Sequence, residues 1–323
     1  MSEAGTALRG GIDLGGTKIQ TAIVDSTGKV LGESRGPTPT SGGPEDVARA
    51  MAEALREAAS EAGVETGALG GVGVGSPGDV DEKTGVVSGA RNLPGWDGSF
   101  QLGETLKDAL GTEIRVGNDV QVATEAEFHL GAGREFQTVI GVFWGTGVGG
   151  GLVLDGKPWL GRGAAGEIGH MVVKRGGAKC PCGRKGCMEA YAGRAAMEGE
   201  ARRQHGEGVK TDLFKLMRRH ERDRLTSGIW ERAIDNNDQL AEDLIARAIE
   251  ALGTGIASAV NLLDSEAVII GGGLGVRFGE RYMEPLTKEM GKHLFLDERP
   301  PAVRVVTLGD LGGAIGASLL FAR

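Results

Sequence analysis

The chain predicts an α/β protein made of two related domains, and three observations carry that prediction. Short apolar runs of strand length alternate with amphipathic stretches of helical period. One order of elements occurs twice: a strand hairpin around a glycine turn, a third strand, then strand–helix units. At 323 residues the chain is long enough for two domains, each with its own core.

In the first half, the first nine residues read as a disordered tail. Residues 10–14 form a short apolar strand, GIDLGGTK turns sharply, and 19–24 (IQTAIV) alternates as a returning strand. DSTG makes the next turn and a third antiparallel strand begins at 30–33. Residues 44–62 predict an amphipathic helix, with Pro44 at its first position, Gly63 just past its end, and Val47, Met51, Ala54, Leu55 and Ala58 on one face. A buried strand at 71–74 ends in GSPGD; a helix at 102–110, a strand at 114–117 and a helix at 120–130 follow.

The second half repeats the order. A strand at 139–144 leads into GTGVGGG, residues 152–154 return, and Asp155-Gly156 supplies a hairpin turn before a third strand near Trp159. A cysteine-bearing insert comes next, then helices within 190–262 and a strand at 267–270 ending in GGGLG. A helix near 278–291, a strand at 303–307 and a helix at 312–322 close the chain.

Composition narrows the function. Hydrophobic residues at 40% and charged residues at 25% are ordinary for a soluble globular chain. The 58 glycines are not ordinary, and their clustering at predicted strand ends suggests backbone turns that meet a ligand. A net charge of −8 offers no general attraction to nucleic acid or to an anionic membrane. No apolar run reaches the ~20 residues of a membrane span, and the N-terminus lacks a signal-peptide core. Clustered thiols without an export signal fit a reducing compartment and a metal better than disulfides, so a cytoplasmic protein is expected.

The segment from Glu167 to Glu189 holds the strongest chemical signal. Cys180, Cys182 and Cys187 are the only cysteines, and they follow His170 closely. Three thiols and an imidazole are the number and type of ligands that Zn²⁺ takes in a closed tetrahedral site. Gly176, Gly177, Gly183 and Gly186 lie among them, as tight folding around an ion requires. The plainer reading is three buried cysteines and a core histidine, but random placement would seldom put every cysteine into C-x-C-x₄-C just after a histidine. Four protein ligands leave no position for an activated water, so the metal would hold a loop in shape. Glu167 and Glu189 bracket this site without being needed as ligands.

Asp13, Gly15, Gly16, Thr17 and Lys18 form a strand–turn–strand element. Glycines let backbone N–H groups approach phosphate oxygens, Lys18 can neutralise them, and Asp13 can reach Mg²⁺. A P-loop or dinucleotide fingerprint would continue into a helix, whereas the residues after Lys18 alternate like a strand. A tight hairpin without a ligand explains this turn alone equally well. Gly145, Thr146 and Gly147 repeat the device, and Gly271, Gly272 and Gly273 after a strand add a third approach suited to a nucleoside. Asn118 and Asp119 sit at a strand-to-helix junction. Asp119 could accept the proton of an attacking hydroxyl while Asn118 holds a neighbouring one, although local sequence alone favours a helix N-cap.

DLGGTK, GVGSPGDVD, NLPGW, ND, GTGVGGG, GEIGH and CPCGRKGCME, in this order, resemble the ROK family (repressors, open reading frames and kinases), and within it the bacterial glucokinases. The resemblance covers residues 10–322; E-x-x-H and C-x-C-G-x-x-G-C-x-E are specific to the family, while DxGGTK is shared more widely among actin-like ATPases. It implies a two-domain, actin-like or ribonuclease-H-like fold with an interdomain cleft and a zinc-binding loop. The domains would be 1–119 with 309–323, and 120–308, hinged near 117–120 and 308–312. It implies ATP-dependent phosphorylation of the 6-hydroxyl of glucose, with Mg²⁺ accompanying ATP and Zn²⁺ in a structural role. Asp119 would be the general base. Asn118, Glu167, His170 and Glu189 would bind the other hydroxyls, and Gly78 and Asn92 would line the pocket. His170 would put one ring nitrogen on zinc and turn the other to the sugar. A homodimer or homotetramer is also implied.

The departures are small. VQVATEAE after Asp119 is less alanine-rich than the family usually has, yet its last glutamate, Glu127, is kept. Residues 201–228 form a longer charged segment in which Glu207, Asp212, Glu221 and Asp223 interleave the basic residues, the pattern of solvated helix faces. Mannose, fructose, N-acetylmannosamine and N-acetylglucosamine stay open as acceptors, polyphosphate as donor, and a sugar-sensing regulator without catalysis as an alternative class.

Overall fold

The computed structural model describes residues 8–90 and 93–322; residues 1–7 of the expected tail, and Asn92, lie outside the described residues. The expected duplication is present. In the first half, β1 (Arg9–Leu14), β2 (Lys18–Val24) and β3 (Val30–Pro37) pair antiparallel, helix α1 (Pro44–Glu61) intervenes, and β4 (Val72–Ser76) joins β1 in parallel. Three short strands then form a small separate sheet: β5 (Asp79–Asp81), β6 (Val86–Ser88) and β7 (Ser99–Phe100). Helix α2 (Leu102–Leu110) leads to β8 (Ile114–Asn118), which pairs parallel with β4, and α3 (Asp119–Leu130) follows without a break. The large sheet has the order β3-β2-β1-β4-β8.

The second half supplies β9 (Val139–Trp144), β10 (Val148–Leu154) and β11 (Lys157–Pro158). The helices α4 (Glu189–Ala192), α5 (Arg194–Gly206), α6 (Leu213–Arg219), α7 (Ser227–Asp235) and α8 (Gln239–Leu263) come next. Strand β12 (Ala267–Gly271), helix α9 (Gly272–Gly291), strand β13 (Ala302–Val305) and helix α10 (Gly312–Ser318) complete the chain. Its sheet order, β11-β10-β9-β12-β13, repeats the first sheet strand for strand. The hairpin turns match as well: Gly15-Gly16-Thr17 in one half and Gly145-Thr146-Gly147 in the other, three residues each.

Three expectations need correcting. The run GTGVGGG is not all turn: Gly149, Gly150 and Gly151 already lie inside β10. GGGLG is not a loop before a later helix, because α9 begins at Gly272 rather than near 278. The small sheet β5–β7 was not expected, since strands of two or three residues leave no readable alternation.

The chain packs as two compact units. One comprises Met1–Glu135, Gly151–Ala165 and Thr307–Arg323, the other Phe136–Gly150 and Gly166–Val306. In the first, neighbouring residues of β1 face opposite ways, so a Cβ on Gly10 would meet Leu55 of α1 while one on Gly11 would meet the Ala314 carbonyl of α10. Helices α1 and α10 therefore cover opposite faces of the sheet. On the α10 side the approach is extreme: added Cβ atoms would lie 1.8 Å from Ala314 O at Gly11 and 1.7 Å from Ala317 O at Gly73. Only glycine lets that helix lie on the strands. The opposite face is filled by Val47, Met51, Leu55 and Ala58 of α1, with Ile12, Leu14, Val72 and Val74 from the strands.

In the second unit, β12 is buried throughout and pairs in parallel with β9 and β13, in the register Ala267↔Val139 and Ala267↔Ala302. Helix α9 packs on these strands and on α8, whose apolar face buries fourteen residues from Leu240 to Val260. Among the described residues, no helix is long and apolar enough to cross a membrane.

Candidate active site and metal centre

In the first unit, the turn after β1 is closed by Gly15 N–H donating to Lys18 O (3.0 Å) and braced by the Thr38 hydroxyl donating to Gly15 O (2.7 Å). Asp13, at the end of β1, has its carboxyl enclosed by α10: a Cβ on Gly313 would lie 2.6 Å from its Cγ. Burial pushes the Asp13 carboxyl up to about 6; the Lys18 ammonium opposes the rise and Asp310 adds to it. Lys18 Nζ lies 3.5 Å from Asp310, which also pairs with Arg35 at 3.5 Å. Asp310 follows the return of the chain to this unit, and no sequence motif marked it.

Strand β8 delivers Asn118 and Asp119 to the start of α3. The Asn118 side-chain oxygen accepts from Val120 N–H and Gln121 N–H, both at 3.1 Å, so this residue is the helix N-cap that local sequence favours. Asp119 is the first helical residue and half-buried, and its Oδ1 accepts from Val120 N–H at 2.9 Å. It thus stands at the positive end of a helix dipole. Gly78 is exposed between β4 and β5 with a φ of +96°.

The kept glutamate has a clear task. Glu127, only 2% exposed, accepts from Ala132 N–H (2.8 Å), Thr307 N–H (2.9 Å), Leu308 N–H (2.9 Å) and the Thr307 hydroxyl (3.1 Å). Its carboxylate binds the end of α3 to the strand of chain that re-enters the unit at Thr307.

In the second unit, three expected pieces meet. Gly145 N–H donates to Gly147 O (2.9 Å), closing the turn, and a Cβ on Gly145 would lie 3.9 Å from Gly273 N. The N-terminus of the 20-residue α9 therefore faces the turn, with its unpaired N–H groups and positive dipole end. Gly147 is held from the other side: an added Cβ would fall 2.3 Å from Glu189 Oε2, which accepts from Val148 N–H at 3.0 Å. Of the two carboxylates bracketing the cysteine segment, Glu189 is thus bound to the turn, while Glu167 is exposed, 3.7 Å from His170 Nε2.

His170, Cys180, Cys182 and Cys187 come together, their ligand atoms within 4.8 Å of one another. His170 Nδ1 lies 3.7 Å from Cys180 Sγ, and Cys182 Sγ lies 3.7 Å from Cys187 Sγ. Zinc with bonds of about 2.0–2.3 Å in a tetrahedron separates its ligand atoms by about 3.6–3.8 Å, a spacing these two pairs match, and one imidazole with three thiols is a donor set that suits the ion. The knuckle is shaped by Cys180 N–H donating to Arg184 O (2.8 Å) and Gly186 N–H to Ala178 O (2.8 Å), with Gly176, Gly183 and Gly186 at positive φ. Without metal, burial pushes the Cys180 thiol up to about 12 and raises Cys187, while the Arg184 N–H and guanidinium bring Cys182 down to about 6. Zinc would supply the charge that holds all three as thiolates. Tyr191, which no motif reading singled out, clamps the knuckle by accepting from Ala178 N–H at 2.7 Å under the guanidinium of Arg247.

The ROK family profile matches residues 9–323. A glucokinase of Thermotoga maritima is 33% identical over 87% of this chain and 86% of its own length. An N-acetylgalactosamine kinase of a Shewanella species is 31% identical over 96% of this chain and 95% of its own. A crystal structure of a ROK family glucokinase from Streptomyces griseus, in complex with glucose and AMPPNP, superposes with a TM-score of 0.82 at 31% identity, covering 97% of this chain and 98% of that one.

Proposed function

The chain belongs to the ROK family, and from that premise we propose that it is a sugar kinase transferring the γ-phosphate of ATP to the 6-hydroxyl of glucose, with glucose 6-phosphate and ADP as products. The observation that carries the reading is Asp119, a half-buried carboxylate at the first residue of α3, directly after a strand end. In this role Asp119 takes the proton of the 6-hydroxyl as that oxygen attacks phosphorus. Asn118 keeps its amide N–H groups for a neighbouring hydroxyl, since its oxygen is spent on the cap. Glu167, His170 and Glu189 would serve the remaining hydroxyls, and Gly78 and Asn92 would line the sugar pocket.

For the donor, Gly15, Gly16, Thr17 and Lys18 of the first unit would offer N–H groups and charge to phosphate oxygens, and in the second unit Gly145, Thr146 and Gly147 would offer N–H groups of their own. Gly271, Gly272 and Gly273 offer the start of α9. Asp13 would hold Mg²⁺, a single carboxylate sufficing where phosphates and water complete the shell. Bound there, Mg²⁺ supplies charge neutralisation between phosphate oxygens. His170, Cys180, Cys182 and Cys187 would hold zinc, which would keep the Glu167–Glu189 segment in shape without entering the chemistry. Positioning and charge, more than covalent chemistry, are what phosphoryl transfer asks of a protein.

A second acceptor class has support of its own, because the N-acetylgalactosamine kinase, at 31% identity, comes close to the glucokinase at 33%. One small pocket side chain can decide whether an N-acetyl group enters. An ADP-release assay over hexoses, N-acetylhexosamines and donors tests both. Glucose with ATP should give the highest kcat/KM; an N-acetylhexosamine in first place would move the acceptor, and no turnover with any sugar would overturn the reading.

A further inference from the structure

Arg194 opens α5 beside the second glycine turn, and no motif accounts for it. Its backbone N–H donates to Gly145 O (3.1 Å), and that of Ala195 to Thr146 O (3.0 Å). Its guanidinium donates from Nη2 to the Thr146 hydroxyl (2.9 Å) and from Nη1 to Leu225 O (3.1 Å). Those two bonds engage two of the five N–H groups that a guanidinium carries. The side chain is therefore pinned at both ends of its fork, with N–H groups to spare at the edge of the turn.

The charged stretch 201–228 returns to the turn at the same place. Leu225 N–H donates to Glu198 Oε2 (2.9 Å), so Arg224 is carried in next to the residue that Arg194 grips. Glu198 does not cancel these charges unaided, because its Oε1 is held by Arg202 Nε (3.0 Å) and Nη2 (2.6 Å). Burial draws Arg194 below the usual arginine range, with Glu198 opposing and Arg224 adding to the effect. A guanidinium remains charged all the same. What results is an oriented, partly desolvated cation against a glycine turn, in the planar fork geometry that matches phosphate oxygens.

We propose that Arg194, assisted by Arg224, reads the polyphosphate of the donor nucleotide at the second glycine turn and so sets the preference for triphosphate over monophosphate. This rests on the kinase reading above. It also gives the charged stretch a task, that of closing its far end onto the donor side of the turn.

The test separates charge from mere bridging. Arg194→Gln can still join Thr146 to Leu225 through neutral donors, while Arg194→Lys keeps the charge and loses the fork. Calorimetric titration with a non-hydrolysable ATP analogue and with AMP should show Arg194→Gln weakening the analogue by about tenfold to a hundredfold. AMP affinity should stay within about twofold, Arg194→Lys should fall between, and Arg224→Ala should lose less than Arg194→Gln. Wild-type analogue affinity in Arg194→Gln, or equal weakening of analogue and AMP, would overturn the proposal. Wild-type protein assayed for glucose phosphorylation on the same preparation keeps the two readings apart. Turnover there with an indifferent Arg194→Gln defeats only this inference. Binding of the analogue without phosphorylation of any sugar defeats the kinase reading, and the analogue-to-AMP ratio still decides this one.

Discussion

Glu189 accepts a hydrogen bond from the Val148 amide at 3.0 Å, so the residue that closes the cysteine segment also anchors the first residue after the second glycine turn. Its other oxygen lies 3.7 Å from Cys180 Sγ. Whatever disturbs the knuckle is therefore passed to the turn through one side chain.

Metal removal should consequently affect both substrates. The protein should carry about one zinc per chain by elemental analysis. Stripping it should raise KM for ATP as well as for the sugar, and lower the melting temperature. Full activity in protein shown to be free of metal would exclude the structural role.

Replacement of Asp119 by Asn should separate chemistry from binding. The side chains are nearly isosteric, so sugar affinity by calorimetry should change only a few-fold, while kcat should drop by about 10²–10⁴. Unchanged turnover would leave Asp119 as part of a helix terminus and nothing more.

Asp13 should show a conflict between stability and function. Its carboxyl titrates near 6 in the folded protein against 3.8 as the ordinary value. Between those pH values the folded chain binds the extra proton, so stability falls as pH rises through the window, and the full cost is present above it. Asp13→Asn removes that cost and should stabilise the nucleotide-free protein at pH 8 by on the order of 1–3 kcal/mol. The gain should vanish below pH 4, and phosphorylation should be lost throughout. A variant that melts lower than wild type at pH 8 would contradict this account.

Close packing on the sheet makes a sharper stability test. Gly73→Ala puts a methyl 1.7 Å from Ala317 O, forcing α10 off the strands, whereas a Cβ at Gly36 meets nothing within 4 Å. Chemical denaturation should show a loss of about 3 kcal/mol or more for Gly73→Ala and a change within about 0.5 kcal/mol for Gly36→Ala. Equal effects would mean that α10 yields more readily than the packing suggests.

Much of this molecule is legible in its residues, and the reasons are local. Helix α2 falls on residues 102–110 as expected, because its apolar positions repeat at helical spacing and a glycine ends it. The duplicated order was readable because each hairpin turn carries its own glycines. Where glycine continued into regular structure the reading failed: Gly149–Gly151 belong to β10, and Gly272 starts α9. Glycine permits a turn without requiring one, and only neighbours decide.

Sequence by itself determined the α/β class, the repeat, the four-ligand set and the family, since each is a matter of residue type and spacing along one chain. The tertiary structure alone decided which groups are spoken for at a distance: Glu189 by Val148, Glu127 by Thr307 and Leu308, Arg194 by Thr146 and Leu225. Those partners lie up to 181 residues apart. Hydrogen bonds and burial depend on distance in space, and spacing along a chain does not encode it across such intervals.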